Sequence, residues 1–208
     1  MVYAKNNPVI RWMLAGYVKW LVRRTFYELL FNNIETEKDK SILILANHFS
    51  FWDGLILFCV NSQLLKKRFH IMVNEQTVYK LPHLKYGGAF SINKKSREML
   101  ESINYAAELL SGPQNLIVLF PQGKLYSNFV NDIRFEKGVL KVIKSVNVPF
   151  QLVFAATFIQ YYKHKKPSIN VYLKTETEDY RDKTIHELKN AYQQHFDSVK
   201  KIQTEIEL

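Results

Sequence analysis

In the run Asn47-His48-Phe49-Ser50-Phe51-Trp52-Asp53 an imidazole and a carboxylate stand five positions apart. A carboxylate that holds the Nδ1 proton fixes the imidazole in one tautomer and leaves Nε2 free to take a proton from a hydroxyl or amine. A nucleophile beside the pair would make a triad. The candidates are Ser50, too close along the chain to be aimed at His48, and Cys59, inside an apolar stretch. The simpler arrangement is a dyad in which His48 deprotonates the substrate itself and Asp53 orients it. Two residues alone are a weak motif, so their surroundings must decide.

Three segments supply those surroundings. Tyr86 to Ser96 has two glycines for a tight turn and then Asn93, Lys94 and Lys95 after an apolar run. Val118 to Asn128 repeats the arrangement: an apolar run ends in Phe120-Pro121-Gln122-Gly123, followed by Lys124. The third, Asn147 to Phe158, is an apolar run introduced by Pro149. If these runs are neighbouring parallel strands, their carboxyl ends bring His48, Lys94, Gln122 and Lys124 to one rim. A base beside lysines suits an anionic substrate whose hydroxyl is activated.

The elements that must position these residues read as an alternation. Short apolar runs without polar alternation, the pattern of strands buried on both faces, occur at 41–46, 68–73, 89–93, 115–120, 150–158 and 168–173. Helical candidates lie at 53–65, 95–111 and 136–146, with turn residues between elements. This predicts an α/β fold with a mostly parallel sheet covered by helices. Residues 176–204 read as a polar terminal helix docked by one stripe through Ile185, Leu188, Tyr192, Phe196 and Val199.

The blocks Asn47 to Asp53, Gly88 to Lys94, Phe120 to Lys124 with Arg134 to Gly138, and Val148 to Val153 together resemble, in order and spacing, the four blocks of the glycerolipid acyltransferase superfamily, which includes lysophosphatidic acid acyltransferases and tafazzin. The likeness runs over about residues 40–158. It implies acyl transfer from a thioester, acyl-CoA or acyl-carrier protein, with His48 as general base and Asp53 as its carboxylate, and with no bound cofactor or metal. It further implies that Lys94 binds an acceptor phosphate and that Phe120, Pro121, Gln122, Gly123 and Lys124 shape the acceptor site. Gln122 stands where the family usually has glutamate, and Leu125 and Tyr126 occupy the stretch where an arginine is usual; Lys124 resembles the tafazzin version. A thioester-independent transacylase moving chains between phospholipids is the alternative enzyme, and a non-catalytic lipid- or nucleic-acid-binding module the alternative class.

The 208 residues suffice for one full α/β domain, expected to be a single acyltransferase domain with a catalytic core over 40–175 and a C-terminal helix within 176–208. The single cysteine, Cys59, rules out a disulfide framework and a cysteine-based zinc site. A net charge of +10 attracts nucleic acid and anionic membranes alike, but no nucleic-acid motif accompanies it, so no nucleic acid partner is expected. The segment 1–35 separates the two. Between Pro8 and Phe31 its longest uncharged stretch, Trp12 to Val18, is far below the ~20 residues that cross a bilayer. Read as amphipathic helix, it lines up Ile10, Leu14, Tyr17 and Leu21, with Arg11, Lys19 and Arg23 away from that stripe and Trp12 and Trp20 suited to the headgroup level. The expectation is amphipathic helices lying in the interface, on the cytoplasmic inner face of a membrane rich in anionic lipids.

Overall fold

Ser41–Ala46 is buried along its whole length, and its side chains divide strictly by parity: Leu43 and Leu45 join one apolar cluster, Ile42, Ile44 and Ala46 another. A strand covered on both faces is the centre of a three-layer fold. The computed structural model describes residues 1–93 and 98–206. Its elements are α1 (Pro8–Thr25), β1 (Leu29–Phe31), β2 (Ser41–Ala46), α2 (Asp53–Val60), β3 (Arg68–Asn74), α3 (Glu75–Lys80), β4 (Ala89–Ile92), α4 (Glu98–Leu110), β5 (Asn115–Leu119), α5 (Gly138–Ser145), β6 (Phe150–Gln160), β7 (Ser168–Glu176) and α6 (Ile185–Thr204). A π-helical turn, Asn61–Leu65, extends α2, and a 3-10 stretch, Pro82–Gly87, precedes β4.

The described residues form a seven-stranded sheet in the order β1-β7-β6-β2-β5-β3-β4. The five strands from β6 to β4 are parallel, as the apolar runs predict. β7 departs from that expectation by pairing antiparallel to β6. The seven residues between them suffice for a hairpin-like return but not for a crossover helix. α1 and α2 cover one face through Val22, Ile56 and Leu57. On the other, Ile103 of α4, Val142 of α5 and Phe196 of α6 share a cluster. The stripe expected on α6 is largely buried, with Leu188, Tyr192, Phe196 and Val199 inside, and a Thr184–Glu187 capping box starts the helix. β4 can begin against β3 only because residue 88 is glycine: its φ is +100°, and an added Cβ would lie 2.0 Å from Phe69 O.

The N-terminal segment differs from its expectation. There is one helix, not several: α1 is capped by Asn7 and stops before Phe26, and the chain then enters the sheet as β1 beside β7. Three residues, Leu29 to Phe31, are too few to show a period, so the run reads as helix in sequence. The expected polarity of α1 is also corrected. Val22 is buried, whereas Tyr17 is 56% exposed together with Val9, Trp12, Met13 and Trp20. Arg11 is half-buried, its Nη2 donating to Phe69 O at 3.4 Å. The helix is apolar on two sides, one packed and one open, which weakens the one-sided pattern on which the sequence reading relied.

His70 of β3 is 6% exposed, and neither ring nitrogen makes a well-aligned hydrogen bond among the described residues, although Asn115 and the Gly88 backbone lie close enough to favour its charged form weakly. Burial, with repulsion from Arg11 and then Arg68, lowers its pKa to about 4. An unfolded histidine titrates near 6.5, so the unfolded chain takes up this proton first. Stability is full above about pH 6.5 and falls as the pH drops toward 4. Between pH 7 and 5 this group alone removes roughly 2 kcal/mol. The difference between denaturant midpoints at those two pH values should shrink correspondingly in His70→Gln; an undiminished difference rejects His70 as the source.

Candidate active site

The loop after β2 is built around one carboxylate. Asp53 is 1% exposed at the start of α2. Its Oδ2 accepts the backbone N–H of Phe49 at 2.7 Å and of Ser50 at 3.0 Å, and lies 2.8 Å from His48 Nδ1. Its Oδ1 accepts the Ser50 hydroxyl at 2.7 Å. This donor set, at the positive end of a helix, suits an anion without a metal or an arginine. A carboxylate accepts only, so the proton of the pair belongs on Nδ1 and Nε2 carries the lone pair. The imidazole is 25% exposed while its partner is closed off. What remains open is the edge away from Asp53.

The neighbouring strands hold this loop from both sides. Toward β6, the buried Asn47 side chain donates to Thr157 O at 2.9 Å and accepts from Thr157 N at 2.8 Å, continuing the ladder with a side chain in place of backbone. Toward β5, His48 N donates to Gln122 Oε1 at 2.7 Å and His48 O accepts from Tyr126 N at 3.0 Å. The Phe120 ring stacks on the imidazole, with centroids 4.1 Å apart and planes 12° from parallel. The turn that allows this closes from Gly123 N to Phe120 O, with Gly123 at φ +66°. Pro121 is buried, its carbonyl accepting Glu136 N.

The expected site residues are thus differently placed. His48 and Asp53 form the pair that their spacing implies. Phe120 and Gln122 touch His48 directly, and Gln122 is only 2% exposed, its carbonyl oxygen engaged by the loop backbone. Gly123 and Lys124 are exposed. Lys94 lies outside the described residues, and β4, which precedes it, is three places from β2 rather than beside β5. Of the two nucleophile candidates, Ser50 gives its hydroxyl hydrogen to Asp53 and accepts from Trp52 N. Cys59 is buried, which pushes its thiol pKa up to about 11. Among the described residues no group of three or more His, Cys, Asp or Glu side chains could hold a metal ion.

Two residues escaped the sequence reading. Tyr126 carries the amide that holds His48 O, and its ring has the Lys124 ammonium at 5.2 Å and the Arg134 guanidinium at 5.9 Å. Neither cation has an ion pair among the described residues. Arg134 stands ten positions beyond Lys124, at the start of the block Arg134 to Gly138, but no periodicity predicts that the intervening loop folds back.

A family model described as Acyltransferase matches residues 29–154. The chain belongs to this acyltransferase family. The match takes in β2 to β5 and the first part of β6, and so every strand and loop that contacts His48. Among solved structures the acyltransferase resembles the crystal structure of the 1-acyl-sn-glycerophosphate (LPA) acyltransferase PlsC from Thermotoga maritima, with a TM-score of 0.64 at 12% identity over 95% of this chain and 81% of that one. At that identity the likeness is one of fold. No curated protein sequence matches the acyltransferase. Among its described residues no helix is long and apolar enough to cross a membrane.

Removing the Gln122 acceptor tests whether it supports the loop. Gln122→Leu keeps the volume but leaves the His48 N–H unpaired, which should cost about 1–3 kcal/mol of stability. Gln122→Asn, with a shorter arm, should fall between the two, and chemical denaturation reads both. A Leu variant as stable as wild type rejects the role.

Proposed function

We propose that this acyltransferase moves a fatty acyl chain from a thioester, acyl-CoA or acyl-carrier protein, to a hydroxyl of a lipid or lipid-precursor acceptor at a membrane surface. The observation that carries the reading is the His48 imidazole, held at Nδ1 by a buried carboxylate and open on its opposite edge, with neither Ser50 nor Cys59 free to act as nucleophile. Transfer is then direct. The acceptor hydroxyl gives its proton to His48 Nε2 as its oxygen attacks the thioester carbonyl, and the tetrahedral intermediate collapses to the ester. The thiolate leaves with the proton that His48 held, so the base returns to its starting state. Asp53 keeps the imidazole in the competent tautomer and stabilises it while it is charged.

Lys124 and Arg134 hold the anionic part of the acceptor, and Tyr126 fixes both cations relative to His48. The acceptor-phosphate role that the family resemblance implies for Lys94 is part of the same reading. Gln122 and Phe120 act through His48, by holding its backbone and its ring. Exposed Phe51, Leu125 and Phe129 in the loops around the base offer apolar surface for the acyl chain or the bilayer. The open side of α1, with Trp12, Met13, Tyr17 and Trp20, lies in the interface. The +10 charge favours the anionic cytoplasmic leaflet, where the enzyme sits peripherally. Residues 1–208 act as one catalytic unit, 1–35 meeting the membrane, 40–175 carrying the chemistry and the C-terminal helix within 176–208 bracing it.

Incubation of purified protein with acyl-CoA and a panel of lysolipids, read by thiol release and lipid mass spectrometry, tests the reaction. His48→Ala should lose ~10²- to 10⁴-fold in rate with folding preserved, and Asp53→Asn should also be severe because the amide favours the wrong tautomer. Rates within a few-fold of wild type in either variant reject the dyad. Arg134→Ala should raise KM by roughly tenfold for acceptors that carry a phosphate monoester, since a charge-assisted hydrogen bond is lost, and far less for neutral ones. An equal rise for both acceptors removes Arg134 from the anion site.

A further inference from the structure

A cavity of about 250 Å³, whose lining does not include His48, lies between the C-terminal half of α1 and the end of α2. Lys19 and Arg23 line it, one helical turn apart on α1, opposite Cys59, Ser62 and Gln63. Neither cation has an ion pair among the described residues. Lys19 is moreover half-buried. The acidic residue of the lining, Glu28, is turned to the sheet, its Oε1 accepting the Ser168 hydroxyl at 2.9 Å. The Ser62 hydroxyl lies at the opposite wall, bonded to Cys59 O. The lining therefore offers two positive charges, weakly balanced, above a floor made by Val22 and Phe26.

The place of the cavity on the molecule narrows what could fill it. Trp20, adjacent to Lys19 in sequence, belongs to the exposed aromatic side of α1. The neighbouring arginines have divided: Arg24 lies over the Trp20 ring, its guanidinium carbon 5.2 Å from the centroid, while Arg23 turns to the cavity. Tryptophans settle at the headgroup level of a bilayer. With Trp20 there, Lys19 and Arg23 come to the level of the phosphates, and a cavity of about 250 Å³ has room for one.

We propose that this cavity is a seat for the phosphodiester of an anionic bilayer lipid, distinct from the acceptor site and used to hold α1 against the membrane. The proposal rests on the reading that α1 meets a membrane. Full-length protein is titrated with phosphatidylcholine vesicles and with vesicles containing phosphatidylglycerol, following tryptophan fluorescence. Wild type should prefer the anionic vesicles. Lys19→Gln/Arg23→Gln should weaken that binding by roughly tenfold or more. Lys141→Gln/Lys144→Gln removes the same charge from α5, on the other face of the sheet, and should change it by less than about twofold because distant charges are screened. Ser62→Trp, checked for folding by circular dichroism, fills the cavity without altering charge and should weaken anionic binding as the α1 pair does. Equal losses for the α1 and α5 pairs, or wild-type binding by folded Ser62→Trp, overturn the seat while leaving the interfacial helix intact. No binding to either vesicle overturns both. Inorganic phosphate that binds vesicle-free protein through Lys19 and Arg23, with no preference among vesicles, overturns the lipid assignment in favour of a soluble anion.

Discussion

Asp53 is a carboxylate withdrawn from water, and it can be so only because the chain around it supplies donors. Four groups converge on its two oxygens: two backbone N–H groups, one hydroxyl and the His48 imidazole. Leaving any of them out would expose part of the cost of burying the charge. The loop from Asn47 to Trp52 therefore has little freedom: it must wrap back over the first turn of α2 so that residues 48, 49 and 50 all face the same oxygens. The orientation of His48 follows from this wrap. A five-residue spacing is the consequence of that geometry, since a shorter loop cannot present both amides and the ring at once.

The wrap fixes the loop relative to α2, and the sheet fixes it relative to everything else. β2 lies between β5 and β6, so the loops that follow all three strands share one rim. Asn47 bonds across to β6 and His48 bonds across to the turn after β5. Both use a side chain where the ladder has run out of paired backbone. The positions of Gln122 and Tyr126 are in turn set by the Gly123 turn and by the return of the chain to Glu136, whose N–H bonds Pro121 O. His48 is thereby held from two neighbouring strands, and a side chain on a loop held so has little freedom to reorient.

Much of this was legible in sequence, and what was not has physical causes. Strands buried on both faces announce themselves as apolar runs, so β2 to β7 were readable. Their direction was not, because Ser168–Glu176 has the same composition whether it pairs parallel or antiparallel. α3 was missed since six residues cannot display a helical period. His48 and Asp53 were found by spacing. Gln122 is implied as an acceptor contact by the family resemblance, and its position under His48 N depends on a turn whose closure only the fold reveals. Arg134 reaches Tyr126 across a loop without regular structure, and no local pattern encodes that reach.

α1 extends the same lesson to the surface. A helix that is apolar on its open side as well as on its packed side loses the one-sided pattern. Its charged residues are then pushed to the flanks, where Arg11 caps Phe69 O and Lys19 and Arg23 border the cavity beside α2. Five large apolar side chains left open on a single helix, Val9, Trp12, Met13, Tyr17 and Trp20, are more than a water-facing surface tolerates without a use. α1 is followed by Phe26, whose ring meets Trp52 at 5.0 Å in the loop that carries His48, so the end of this helix and that loop are packed against each other.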